Sequence, residues 1–191
     1  METEAVMSLF KIIKGTFHVK GYQPDGDSIR FKADNDTNWT FFPNADRDKK
    51  KQLRIEAIDA LETHYEGYHQ PMPFALAALE QLLALLEITD VKYSLSVTHV
   101  VDADDEKPGF IASTGMDRFG RPISFLFPST APLTDGAVVD ISELPVEQSI
   151  NYILARDGLV YPTFYTTTEP LVLEKFRTGV SRAKIGGRGL W

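Results

Sequence analysis

The chain contains no cysteine, which excludes disulfides and thiolate metal sites. No apolar run reaches the roughly 18 residues that a membrane-spanning helix needs. The longest candidate, Phe74 to Ile88, is interrupted by Glu80, Gln81 and Glu87. A surplus of positive charge is also missing. The net charge is −7 and the pI is about 5.1, so the overall basic footprint of a general nucleic-acid binder is absent. Basic residues are concentrated only locally, at Arg47, Lys49, Lys50, Lys51 and Arg54 and again at Arg177, Arg182, Lys184 and Arg188. The histidines, His18, His64, His69 and His99, lack the i, i+4 helical spacing of a zinc pair. There is no P-loop, no G-x-S-x-G and no dinucleotide fingerprint. The N-terminus, Met1-Glu2-Thr3-Glu4, is acidic where a secretory signal is positive; the sequence leaves the compartment open.

What is present suits a folded domain. The chain has 191 residues, 43% of them hydrophobic. That length fits one domain, and that composition builds a core. Strands are expected over Phe10–His18, Ser28–Ala33, Trp39–Phe42 and Leu53–Ile58, with Asp34–Asn38 as a turn and Asn44–Lys51 as an exposed loop. A largely buried helix is expected from Phe74 to Leu86. Tyr93–Val101 alternates as a strand, ended by an acidic loop at 102–106. Ile111–Met116 and Pro122–Phe127 flank a turn as a hairpin. Pro128–Glu143 reads as an irregular excursion. Helices follow over Val146–Arg156, closed near Gly158, and over Glu169–Lys184, capped by Thr168 and ended by Gly186-Gly187. Strands followed by helices give an α+β class, with a small β-barrel as the specific expectation.

Three short segments carry the chemistry. Asp25-Gly26-Asp27-Ser28 is a favoured turn sequence, or it holds Asp27 as a carboxylate ligand at a strand start. In Arg54 to Thr63, alternation places Arg54 and Glu56 on one strand face and Asp59 on the other. A twist or bulge is needed before Arg54 and Asp59 can converge. Asp59 and Glu62 then lie just past the strand end, where scaffolds commonly hold reactive groups; otherwise they are a turn former and a surface acid. Asp117-Arg118-Phe119-Gly120-Arg121 is a hairpin turn with Gly120 at positive φ, or it aims the Arg121 guanidinium at a phosphate, a bidentate task that lysine does not reproduce. Tyr152, Tyr161, Phe164 and Tyr165 could stack bases, although such aromatics more often fill a core.

In this order, the segments resemble the staphylococcal nuclease-like (thermonuclease) family. Its pattern runs D-G-D-T, R-x-x-x-x-D-[TA]-P-E-T and D-x-[YF]-G-R, then a Gly-Leu-[Ala/Val]-x-Val-Tyr segment and a final Gly-Leu-Trp. Here the last two are represented by Gly158-Leu159-Val160-Tyr161 and Gly189-Leu190-Trp191. The resemblance implies one domain over 1–191 (core about 10–191, insertions near 34–51 and 128–143) with an OB-fold five-stranded barrel and about three helices. It implies calcium-dependent hydrolysis of DNA and/or RNA that leaves a 3′-phosphate. Asp27 and Asp59 match the calcium carboxylates, and Ala60 matches the residue whose carbonyl binds the metal. Glu62 matches the residue acting on the attacking water. Arg54 and Arg121 match the phosphate-binding arginines.

The implied partners are a nucleic-acid substrate, no membrane segment, and a monomeric state. Calcium takes roughly 6–8 oxygen ligands, so two aspartates and a carbonyl leave room for water and phosphate. The sequence departs from the pattern at Leu61, where the family has proline, at Pro122, which favours an edge or bulge, and in its acidic charge. The alternative these departures raise is a domain of the same type that binds protein or single-stranded nucleic acid without turnover.

Overall fold

The computed structural model describes residues 8–41, 50–64, 70–95, 99–165 and 168–191. In chain order the strands and helices are β1 (Leu9–His18), β2 (Ser28–Ala33), β3 (Lys51–Ile55), β4 (Ile58–Asp59), α1 (Met72–Leu85), β5 (Thr89–Tyr93), β6 (Val100–Asp104), β7 (Lys107–Met116), β8 (Pro122–Pro128), β9 (Val138–Asp140), α2 (Ile150–Arg156), β10 (Tyr161–Pro162) and α3 (Pro170–Ile185). Strand neighbours run β1–β2–β3–β8–β7 and back to β1, which closes a five-stranded barrel. Only the β3–β8 contact in that ring is parallel. With its helices this is the expected OB-like α+β fold. Among the described residues no helix is long and apolar enough to cross a membrane.

Large side chains that strand alternation sends inward fill the barrel. Phe17, Phe31 and Phe125 are fully buried, and the Phe17 and Phe31 rings lie 5.0 Å apart. Phe176 of α3 meets Phe125 at 6.4 Å and Tyr152 of α2 at 5.6 Å, so the C-terminal helices share the barrel's core. Helix α1 buries one stripe, Ala75, Ala78, Leu79, Leu82 and Leu83, and leaves Phe74 44% exposed. It is thus more one-sided than its many apolar residues suggest.

Several local expectations are corrected. Trp39–Phe42 is not a strand: Asp36–Phe41 forms a 3-10 turn, and Phe42 lies outside the described residues, as does most of the expected loop Asn44–Lys51, whose last residue opens β3. The Asn35 side chain accepts from the amide and hydroxyl of Thr37, a local bond that competes with strand pairing. Trp39 is buried by that turn and meets Phe31 edge-on at 6.4 Å. Of the strand read over Tyr93–Val101, only its ends are strand: Tyr93 closes β5 and Val100–Val101 open β6, which pair as a hairpin, while residues 96–98 lie outside the described residues. The acidic stretch partly belongs to β6, and Asp105 accepts from the amides of Val19 and Lys20, which ends β1. In place of one helix from Val146 there is a 3-10 turn, Val146–Gln148, then α2. Ser149, in an extended conformation, interrupts them and accepts from Tyr152 N–H as the N-cap. Thr168 does not cap α3; its hydroxyl accepts from Tyr165 N–H instead. The excursion at 128–143 adds β9 to the outer edge of β1.

Candidate active site

The strand read as Leu53–Ile58 breaks at Ala57, which takes a left-handed φ of 64°. This left-handed residue breaks the alternation between Arg54 and Asp59. β3 ends at Ile55 and β4 starts three residues later, so the segment carrying Asp59 leaves the barrel wall and pairs with β10. The Thr163 amide donates to the Ala57 carbonyl at 3.0 Å and completes that pairing.

Gly26 holds the other half of the site. A Cβ there would lie 2.7 Å from the Cβ of Ala78 on α1 and 2.8 Å from that of Ala60. The glycine therefore seats the Asp25–Asp27 turn against the helix and against the segment after β4. Three contacts join this turn to the second motif. The Ala60 N–H donates to the Asp27 carboxylate. The Ile55 N–H donates to the Asp27 carbonyl at 3.1 Å. The buried Asp25 accepts from the Thr63 amide at 3.1 Å and from its hydroxyl.

Acids from separate parts of the chain thus face one another. Burial raises the Asp27 carboxyl to about 7, helped by the charges of Asp59, Asp25 and Glu62. Burial also raises Glu62, as do Asp25 and Asp59, while His64 opposes them. Leu61 leaves the loop without a stiffening proline, but Gln70 ties it down. The Glu62 amide donates to the Gln70 side chain at 2.9 Å, and the Gln70 amide donates to the Glu62 carbonyl at 3.0 Å.

The two arginines are held separately. Arg54, on β3, donates to the Tyr165 hydroxyl, with its guanidinium 5.1 Å from that ring. Arg121 donates through Nε to Asp117 at 2.7 Å. Asp117 also accepts from the amides of Phe119 and Arg121. Burial alone would raise Asp117, yet these bonds hold it below its ordinary value. Gly120 has the expected positive φ, 75°. A cleft of about 580 Å³ runs from Arg54 to the Asp117–Phe119 turn, and Arg121, Asp27, Asp59 and Glu62 are not among its lining residues. Arg54, Glu56, Asp117, Phe119 and Tyr165 line it over an apolar floor that includes Ile123 and Phe125. Phe119 is 68% and Tyr165 50% exposed at its mouth. Of the aromatics considered for stacking, Tyr152 and Phe164 pack in or against the core, whereas Tyr161 and Tyr165 reach the surface.

Sequence reasoning missed Asn151. It is fully buried on α2, donates to the carbonyls of Glu56 and Ser124, and accepts from Leu126 N–H, all at 2.9–3.0 Å. It thereby pins the end of β3 to β8 where Arg54 emerges. The available signal was one amide inside an otherwise apolar helix. Asn151→Ala would remove the side-chain partner of the Leu126 amide and the Glu56 carbonyl, while the Ser124 carbonyl keeps the Glu56 N–H, and is expected to lower stability by on the order of 2 kcal/mol, read as a lower urea midpoint with an unchanged slope. Glu56 was also passed over. It faces the cleft beside Arg54, and burial raises its carboxyl although Arg54 draws it down.

No family model and no curated protein matches the chain. The site must be weighed on its own chemistry. Among the described residues, no three acids or histidines stand close enough to form a finished metal-ligand set. The oxygens gathered here are carboxylates, the hard donors that a hard cation prefers. Crowded acids that push Asp27 to about 7 mark a place where positive charge is favoured.

Proposed function

We propose that this protein is a calcium-dependent phosphodiesterase of the staphylococcal nuclease type, acting on DNA and/or RNA. The observation that carries the reading is the Asp27 carboxyl, raised to about 7 by burial and by acids from two motifs far apart in sequence. A purely structural turn has no use for such a gathering, because mutual repulsion costs stability.

Asp27, Asp59 and the Ala60 carbonyl would hold the calcium. When bound, the ion supplies Lewis-acid polarisation of the phosphoryl group and eases deprotonation of water. Glu62 accepts the water's proton, a task favoured by its raised carboxyl. Arg54 donates paired hydrogen bonds to phosphoryl oxygens as charge builds on them. Arg121, whose Nε is held by Asp117, would offer its terminal nitrogens to the same group. The neighbouring cleft takes a nucleobase against Phe119 and Tyr165, a contact tolerant of base identity.

The test is incubation with single-stranded DNA and with RNA, in calcium and in chelator. Calcium-dependent fragments ending in 3′-phosphate, absent from Arg121→Ala, are expected. No product above that variant, together with a silent calorimetric titration with calcium and a nucleotide bisphosphate, would instead favour a binding domain without turnover.

A further inference from the structure

A second polar cavity, of about 320 Å³, lies on the outer wall of the barrel away from the aromatic cleft, and no carboxylate lines it. In a chain of net charge −7 that composition is unexpected. Its wall is built by strand register. His18 on β1 stands opposite Arg30 on β2, and Arg30 stands opposite Gln52 on β3, so one row of nitrogen-bearing side chains crosses three strands. Tyr22 lies under the Arg30 guanidinium at 3.9 Å from its ring centroid, which fixes the plane of the fork. The roof comes from two further segments. The Gly21 amide donates to the Val100 carbonyl and the Val100 amide to the Tyr22 carbonyl, both at 2.8 Å, which brings His99 to the cavity. His64 enters from the loop after β4.

Three of the chain's four histidines therefore line one cavity with an arginine. Two acids approach the rings: Asp25 lies 3.6 Å from Nδ1 of His64, a nitrogen also 3.0 Å from the Thr63 hydroxyl, and Glu106 lies 3.7 Å from Nδ1 of His18. His18 is 3% exposed; its Nε2 lies 2.9 Å from the Thr16 hydroxyl, and its Nδ1 is buried without a hydrogen bond. Burial lowers its pKa, as do Lys50 and Lys32, against Asp105 and Glu106. The two lysines add positive charge to this side of the barrel.

We propose that this cavity is a phosphate-binding site, with the Arg30 guanidinium as its principal donor, His64, His99 and Gln52 completing it, and His18 forming its buried wall. Arg30 offers a planar fork matched to a phosphate's oxygens. Imidazole and amide N–H groups supply further donors. The phosphate is either free inorganic phosphate or one carried by a nucleic-acid strand. The assignment stands apart from the proposed hydrolysis and holds whether or not the protein cleaves anything.

The test follows histidine ring-proton resonances in the intact chain, kept in chelator so that nothing is cut, during titration with inorganic phosphate and, separately, with a short oligothymidylate. Saturable shifts of the His18, His64 and His99 signals are expected. Arg30→Gln and His99→Gln, each checked for an unchanged amide spectrum, should weaken binding, Arg30→Gln by about tenfold. Tighter binding of the oligonucleotide assigns the site to a strand phosphate, and comparable or weaker binding assigns it to the free ion. Unmoved ring signals with both probes, or identical titrations in wild type and both variants, would overturn the site.

Discussion

Asp27→Asn is expected to make the protein more stable than wild type at pH 8 in chelator, and to abolish its stabilisation by calcium. In the unfolded chain Asp27 ionises at about 4. In the fold, burial and the charges of Asp59, Asp25 and Glu62 hold its proton until about 7. Between these values the folded state retains a proton that the unfolded state has lost, so wild-type stability falls as pH rises. Above about 7 both states are ionised and the penalty is constant. Asparagine keeps an oxygen for the Ala60 N–H but has no proton to give up. The difference between variant and wild type should therefore be near zero at pH 4, grow to pH 7 and stay level beyond. Allowing for solvent screening at this half-buried group, its plateau is on the order of 2 kcal/mol. Calcium added at pH 8 should raise the melting temperature of wild type and leave Asp27→Asn nearly unmoved. Parallel pH–stability curves for the two proteins would contradict the crowding of acids, and equal responses to calcium would contradict the metal assignment.

Arg54→Lys is expected to reduce kcat about 10²–10³-fold, a loss typical of removing a preorganised donor at the reacting group, with little change in KM. Arg54→Ala should be no worse by more than a few fold. The reason is geometric. Arg54 donates to the Tyr165 hydroxyl with its guanidinium over that ring, beside Glu56. Its orientation is thus set on two sides before any substrate arrives. An ammonium keeps the charge but cannot present two parallel donors. Tyr165→Phe, which removes the orienting hydroxyl alone, should fall between wild type and Arg54→Lys. Steady-state kinetics on a defined oligonucleotide decides this, with calcium affinity measured alongside as a control. A lysine variant retaining most of its kcat would remove Arg54 from the phosphoryl group.

Much of the barrel was legible because alternation and turn chemistry agree. β2 begins just after Asp25–Asp27, and β8 begins just after Arg121, where asparagine-like turn acids and Gly120 dictate the backbone. The failures have local physical causes. Trp39 reads as a strand residue by size, yet the Asn35 side chain bends the backbone before it. The alternation of Tyr93–Val101 falls on the connection of the β5–β6 hairpin, because Thr89–Lys92, which carry a positive φ at Asp90 and register shifts in the pairing, give no strand signal of their own. At the site, the need for a break between Arg54 and Asp59 was visible from alternation, but its place at Ala57 was not, since alanine carries no signal for a left-handed conformation. Asp25 and Asn151 went unread for a shared reason. Their importance lies in what they meet across the fold, and a residue's neighbours in sequence say nothing of partners tens of positions away.

The two glycine-leucine segments near the C-terminus lie against each other. A Cβ on Gly158 would sit 2.5 Å from the Arg188 carbonyl, one on Gly189 would sit 2.2 Å from the Gly158 carbonyl, and the Leu190 amide donates to that same carbonyl at 2.9 Å. Trp191 then packs edge-on against Tyr161, the partner of Asp59 in β10. Because bare main chain meets bare main chain, this latch has nothing to trade: drift could rewrite Arg188 or Leu190 freely, but any methyl at either glycine would pry the tail loose, and the acid three steps away along the chain of contacts would feel it.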